Sequence, residues 1–309
     1  MLATLSFEGL AQQFIYGIQL GAIYALIALG YTMVYGVLKL INFAHGDVYM
    51  VGAYLAYYTC SVWLAGVAVE PHLMLVIMLL VSMCGCALLG LLIERIAYRP
   101  LRSAPRISVL ITAIGVSLFI EYAGKLFFQT SPQPSIKESV NVFKDQIHLG
   151  RLEIAQSALI VLITTVVLMC LLWYFVTRTA MGRAMRAVSH DFNTAALMGI
   201  SVDKVITITF LIGSALAGAG GMMQATSVGT PLSTFYGLMP GVKAFVAAVL
   251  GGIGNIPGAV TGAMIMAMAE TAVKAFGYSN YTDAVAFIIL IGILLLRPGG
   301  LFGAVTEKV

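Results

Sequence analysis

Gly36–Tyr54, GVLKLINFAHGDVYMVGAY, is the stretch whose reading decides the fold. It lies between two apolar runs that could each cross a bilayer, yet it holds Lys39, Asn42, His45 and Asp47. One Asp or Lys at the centre of a lipid-facing helix costs about 2.5–3.5 kcal/mol, whereas each Leu or Ile gains only about 0.3–0.6 kcal/mol. In lipid, those polar side chains would outweigh the apolar residues beside them. They therefore lie at the membrane edge, in a water-filled cavity or against other protein. Gly46, inside the polar segment, allows backbone geometry that other residues resist. The segment reads as a break between two helices, of the kind that serves transport.

Outward from this break the chain is built for lipid. Of its 309 residues, 60% are hydrophobic and 10% charged, and the mean hydropathy is +0.98, which excludes a soluble domain. Gly9–Leu38, Val48–Val69, Pro71–Ile93, Ile154–Thr177, Val205–Val242 and Ala244–Ala269 carry no Lys, Arg, Asp or Glu. Each can hold a helical span of about 20 residues. Barrel strands would instead alternate in polarity over about ten residues, so the class is all-α, a polytopic helical membrane protein. The opening MLATLSFEGLAQQF lacks the basic region of a cleavable signal peptide, so the first span is expected to be retained. Cys60, Cys84, Cys86 and Cys170 have neither metal-ligand nor disulfide spacing and read as packing residues, with Cys84 and Cys86 on different helix faces. The net charge of +4 makes no case for nucleic acid, because the basic residues sit beside helix ends.

Charge distribution gives an orientation. Arg95, Arg99, Arg102 and Arg106 share one short loop, and Arg178, Arg183, Arg186 and Lys204 flank another. An excess of Lys and Arg marks cytoplasmic loops, so both are expected inside, with a cytoplasmic loop at about 178–204. The charge-balanced loop at about 129–153 is expected outside. Spans follow near 10–37, 47–68, 73–94, 107–128, 155–176, 205–226, 240–253, 257–276 and 281–297. The seventh is short for a crossing, leaving eight or nine, with the N-terminus outside and the C-terminus inside.

A second break lies at Gly251–Gly258, GGIGNIPG, where an apolar segment runs into a Gly-rich turn and a new helix opens. Pro257 suits the first turn of that helix. Gly-Ala follows both breaks, as Gly52-Ala53 and Gly262-Ala263. Paired interrupted segments are a sequence pointer to a transporter's binding site. Asn42, His45, Gly46, Asp47, Gly251, Gly252, Gly254 and Asn255 are thus candidates for a translocation pathway, and the two breaks are expected to meet beside it. Gly17 with Gly21, and Gly254, Gly258 and Gly262, have the spacing that lets helix backbones approach, within one subunit or between two.

INFAHGDVYMVGAY, with GAIYALIALGYTMVYG before it and KAFVAAVLGGIGNIPGA after it, resembles a known family over nearly the whole chain. IERIAYRPLR, MGRAMRA and MGI add to the likeness, which is to the LivH-type permease subunits of high-affinity branched-chain amino acid ABC importers. One departure is Asp47, where many relatives carry Glu. The resemblance implies a single transmembrane permease domain over 1–309, related to the ribose-type permeases, in a bacterial inner membrane. It also implies a second LivM-like permease, two cytoplasmic P-loop ATPases that use ATP and Mg, and an extracytoplasmic amino-acid-binding protein. No GxxxxGK[ST] occurs in the chain itself, and it shows no catalytic or metal motif. Related permeases for urea and other small amides share the first stretch, so a different small substrate stays open. So does a proton-coupled carrier that uses His45 and Asp47 as a relay.

The loop at 178–204 then reads as an ATPase-docking surface. Met181, Met185 and Val188 form an apolar stripe, and Arg183, Arg186 and His190 a basic one. Asp191 is placed to cap a short helix, Phe192–Met198, that Gly199 would end, and Ala195 and Ala196 complete the docking candidates. The competing reading is an amphipathic helix on the inner leaflet. Glu121 with Lys125, and Glu270 with Lys274, read as local ion pairs. Lys243 is open to two readings, contact with a substrate carboxylate or snorkelling to the interface. Asp47 is also placed to cap the helix that follows it.

Overall fold

The uncharged runs fold as helices in a computed structural model that describes residues 7–102, 104–128, 136, 146–149, 152–227 and 231–303. The first half holds α1 (Phe7–Leu38), α2 (His45–Tyr58), α3 (Pro71–Ile93), α4 (Arg106–Phe127) and α5 (Gln156–Arg178). The second half holds α6 (Ala180–His190), α7 (Phe192–Leu197), α8 (Val202–Ser227), α9 (Leu238–Gly251), α10 (Ile256–Ala275) and α11 (Thr282–Leu296). Helix starts follow local chemistry. Glu70 accepts a hydrogen bond from the Leu73 N–H at 2.9 Å with Pro71 opening α3, and Thr179 accepts from the Gly182 N–H at 3.0 Å to open α6.

Seven of these helices, α1, α3, α4, α5, α8, α10 and α11, are long and apolar enough to cross a membrane, α11 together with the Ser279–Tyr281 turn before it. Two others, α2 and α9, are shorter, at 14 residues each. The expected second span, 47–68, overshoots. A π-helical turn, Thr59–Trp63, ends the helical rise, and Gly66 (φ 81°) turns the chain back toward α3. In the loop at 129–153 the described part includes an antiparallel hairpin, β1 (Gln146–Leu149) with β2 (Leu152–Ala155), in which Gln146 is opposite Ala155. Its strands are too short for the apolar-run argument to have found them.

The helices form two shells. Within its most apolar window, 83% of α1 is buried and 72% of α8, against 17% of α5 and 11% of α11. The inner pair sits at the centre of the core, and the outer ones turn Leu, Ile and Phe outward, as a lipid solvent allows. Close approach in the centre depends on small residues. A Cβ on Gly221 would lie 2.0 Å from the Tyr49 carbonyl oxygen, so α8 and α2 cross backbone to backbone. The spaced glycines serve contacts within this chain, since Gly17 and Gly21 receive Met268 and Met264 of α10, and Gly262 meets the Ala247 carbonyl of α9. Cys86 is buried and donates to the Val48 carbonyl at 3.2 Å, while Cys84 is exposed.

Candidate functional site

The first break is a sharp return of chain at the end of α1. Its left-handed residue is Lys39 (φ 55°), not Gly46, which lies within the first turn of α2. Gly46 has a different use. A Cβ there would lie 2.7 Å from the Gly237 carbonyl oxygen, and one on Gly237 would lie 1.9 Å from that of Gly46. The start of α2 and the start of α9 therefore pack backbone to backbone, and only glycine permits it.

The polar side chains of this break are buried within protein. Asn42 accepts a hydrogen bond from the Tyr98 hydroxyl at 2.9 Å. His45 packs against Tyr31 with ring centroids 4.5 Å apart, and a Cβ on Gly30 would lie 2.3 Å from its Nε2. Neither ring nitrogen makes a hydrogen bond of normal geometry among the described residues. Asp47 is not the N-cap expected of it. Ala44 holds that position, and the Asp47 carboxylate accepts from the Ser117 hydroxyl of α4 at 2.5 Å. No bond joins His45 to Asp47 among the described residues, because residues two apart on a helix do not face each other.

A cavity of about 310 Å³ opens beside Asp47, between the first break, α4 and the start of α9. Its lining is apolar and aromatic apart from Asp47, Ser117 and Glu121. The expected Glu121–Lys125 pair makes no contact ion pair among the described residues, though the two remain within electrostatic reach. Lys125 Nζ lies over the rings of Tyr122 and Phe235, 4.5 and 4.9 Å from their centroids. Glu121 is left buried at the cavity wall. Sequence reasoning placed Glu121 in a local pair and did not single out Ser117. The signal for both lay on one face of α4, where the two are four residues apart.

The second break lies elsewhere. It follows α9, with Gly252 at φ 101° and Gly254 at φ 96°. Asn255 caps α10 by accepting from the Gly258 N–H at 3.0 Å, and the Leu301 N–H donates to the Leu250 carbonyl at 2.8 Å. The chain beyond α11 thus closes over this turn. Gly254 approaches Gly36 in the last turn of α1, with 3.7 Å to its Cα from a Cβ placed on Gly254. The two breaks approach at one edge only. Gly254 packs on Gly36, one turn before Lys39, whereas Gly46 at the far end of the first break abuts the first turn of α9, about 20 Å along that helix from Gly251 at 1.5 Å per residue.

Lys243 neither snorkels nor stands free for a substrate. Its ammonium is buried, 3.1 Å from Glu270 Oε1 and 2.8 Å from Asp283 Oδ1. Glu270 also takes the expected pair with Lys274 at 2.8 Å and a hydrogen bond from the Tyr24 hydroxyl at 2.9 Å. The network links α1, α9, α10 and α11.

The loop at 178–204 holds two short helices as expected. Asp191 caps α7 by accepting from the Thr194 N–H at 2.7 Å, and Gly199 (φ 79°) ends the segment. That N–H bond holds the Asp191 carboxyl below the usual carboxylate range. Two docking candidates change role. Met185 and Ala195 are buried, with Val188 beside Met185 and Met181 half-buried, so the apolar stripe seats the loop on its own subunit. Arg183, Arg186, Ala196 and Gly199 are exposed. The outward apolar residues are Leu197 and Met198, 88% and 78% exposed, which the stripe argument passed over because they follow it.

A buried polar break, short helices at the centre and a projecting helical loop describe a membrane permease, and comparison with known proteins agrees. The family described as branched-chain amino acid transport system, permease component, matches residues 13–294. The chain belongs to that family. It is 40% identical over 298 residues to the high-affinity branched-chain amino acid transport system permease protein LivH of Escherichia coli K12, covering 94% of this chain and 95% of that one. LivH of Salmonella typhimurium is 38% identical over 297 residues and BraD of Pseudomonas aeruginosa 39% over 296, each with the same coverage. No solved structure gives a significant match. As a member of this family the chain is a multi-pass membrane transport component, and both breaks lie inside the matched region.

Proposed function

We propose that this permease carries branched-chain amino acids inward across a bacterial inner membrane as one subunit of a binding-protein-dependent ABC importer. The observation that carries the reading is similarity of 38–40% to LivH and BraD over 94% of the chain. In this reading a second LivM-like permease completes the pathway, two cytoplasmic P-loop ATPases use ATP and Mg to drive it, and an extracytoplasmic protein delivers the solute. The basic loops face the cytoplasm, the N-terminus is periplasmic and the C-terminus cytoplasmic, as the Arg distribution supports. The exposed edge formed by Arg183, Arg186, Ala196, Leu197 and Met198 receives an ATPase subunit. The breaks at Asn42–Asp47 and Gly251–Asn255 flank the pathway and supply irregular backbone that protein and cavity water satisfy.

Reconstitution tests the proposal. The full complex in liposomes, with binding protein outside and ATP inside, should accumulate radiolabelled leucine, isoleucine or valine. Uptake by the isolated chain driven by a pH gradient would overturn it, and would point to the proton-coupled alternative. ATP-driven uptake of urea or an amide, with no branched-chain amino acid accepted, would keep the importer and replace its substrate.

A further inference from the structure

The cavity beside Asp47 brings together features that the family assignment does not explain. Asp47 and Glu121 are both at least nine-tenths buried, and both line it. The Ser117 hydroxyl holds Asp47, whereas Glu121 makes no direct hydrogen bond or contact ion pair among the described residues and feels Lys125 only at a distance. The nearest candidate cation, Lys125, is committed to the Tyr122 and Phe235 rings. Two carboxylates in an apolar, membrane-level wall repel one another and are costly to ionise without a cation between them. An ionisable residue at membrane level that faces a cavity marks a substrate or ion pathway.

The rest of the wall narrows the identity of that cation. Aliphatic side chains, including Ile114, Leu118 and Val242, and four aromatic rings, Tyr31 and Phe245 among them, together form most of it. Such a surface suits a branched aliphatic side chain. Aromatic faces also favour an ammonium. The cavity is bordered by Gly237 and Leu238 at the start of α9, the helix end that bears positive partial charge and suits a carboxylate.

We propose that this cavity is a solute subsite in which Asp47 and Glu121 receive the α-ammonium of an aliphatic amino acid while Ser117 orients Asp47. The proposal rests on the amino-acid importer reading above and gives it particular residues. Glu121 is the specific addition, since it is the carboxylate with no direct hydrogen-bond or ion-pair contact among the described residues. Recognition by a carboxylate pair selects a cationic amine and disfavours an uncharged amide such as urea.

The test uses the complete complex in liposomes with its binding protein, leucine as the probe and ATP inside. Glu121→Gln and Asp47→Asn should each lower leucine uptake tenfold or more while the subunits still co-purify. Glu121→Lys builds a cation into the cavity. It should abolish uptake yet give a complex that melts no lower than Glu121→Gln, because the new ammonium pairs with Asp47. Ile114→Trp should block uptake by volume. Absence of leucine uptake by the wild-type complex would refute the amino-acid reading on which the subsite rests. Wild-type uptake matched by Glu121→Gln and Asp47→Asn would overturn the subsite alone. If the carboxylate variants do not assemble, Ile114→Trp decides, and normal uptake by that variant would overturn the subsite.

Discussion

Lys243 Nζ stands 3.1 Å from Glu270 Oε1, both residues buried, so the short helix α9 is tied to α10 by charge as well as by packing. Asp283 extends the tie to α11, and Lys274 shares Glu270. Breaking a buried pair by removing one partner costs on the order of 3–5 kcal/mol, because the other charge stays behind. Lys243→Met should fall short of that cost, since Lys274 still neutralises Glu270. Glu270→Ala should be the more damaging change, as it leaves two ammonium groups together with only half-exposed Asp283 between them. Melting of the detergent-purified protein would compare them, and a Glu270→Ala protein as stable as Lys243→Met would contradict the network's arrangement.

The docking edge yields a second prediction, in which burial reverses the expectation from the stripe. Leu197→Glu and Met198→Glu place a charge on an exposed surface and should leave insertion and folding intact while releasing the ATPases. Met185→Glu buries an unpaired carboxylate within this chain, at a cost of several kcal/mol, and should loosen the loop itself. Co-purification of the ATPases together with protease resistance of the loop separates the two effects. Retention of the ATPases by both Leu197→Glu and Met198→Glu would rule out this edge. Asp191 contributes through a lowered pKa, so its capping is complete above the ordinary carboxylate range and is lost only as pH falls through the lower folded value. Docking should therefore be insensitive to Asp191 titration near neutral pH, and Asp191→Asn, which keeps an acceptor for the Thr194 N–H, should dock normally.

Much of this architecture was legible from single residues. The nine expected spans match helices among the described residues to within a few residues, seven of them long enough to cross a membrane, except where Gly66 and a π turn shorten the second. Asp191 and Gly199 set the ends of α7 because capping and left-handed turns are local chemistry. The relation between the two breaks was not local. It depends on α9 entering at the level of Gly46 and leaving beside Gly36, which no pattern within either break records. The same holds for Lys243. Its partners lie on α10 and α11, and only packing brings Glu270 and Asp283 to it.

Orientation supplies a third prediction. A cysteine at the exposed position Asn193, in a protein otherwise stripped of Cys60, Cys84, Cys86 and Cys170, should resist an impermeant thiol reagent in spheroplasts and react after lysis. One at exposed Asn280, in the turn before α11, should react in intact spheroplasts. The opposite pattern at either position would invert the topology drawn from Arg178, Arg183 and Arg186.

Gly252 carries the last prediction, because two independent constraints coincide there. Its φ of 101° lies where a side chain is strained in any surroundings, and a Cβ would also stand 2.7 Å from the Gly303 nitrogen. The strain amounts to about 1–3 kcal/mol, and the contact is with backbone, which cannot swing aside. Relief requires the turn after α11 to lift, which would break the bonds from the Leu301 and Phe302 N–H groups to the Leu250 and Gly251 carbonyls. Gly252→Ala should therefore lower thermal stability and expose the C-terminal turn to proteolysis, while α9 itself stays folded. Asn255→Ala provides the control. It removes the cap of α10 at about 1 kcal/mol, together with one 3.4 Å bond from its Nδ2 to the Phe302 carbonyl, but forces no clash, so it should lower the melting temperature with less exposure of that turn. Proteolysis of the turn no greater in Gly252→Ala than in Asn255→Ala would mean that the clash at Gly252 does not unseat the chain beyond α11.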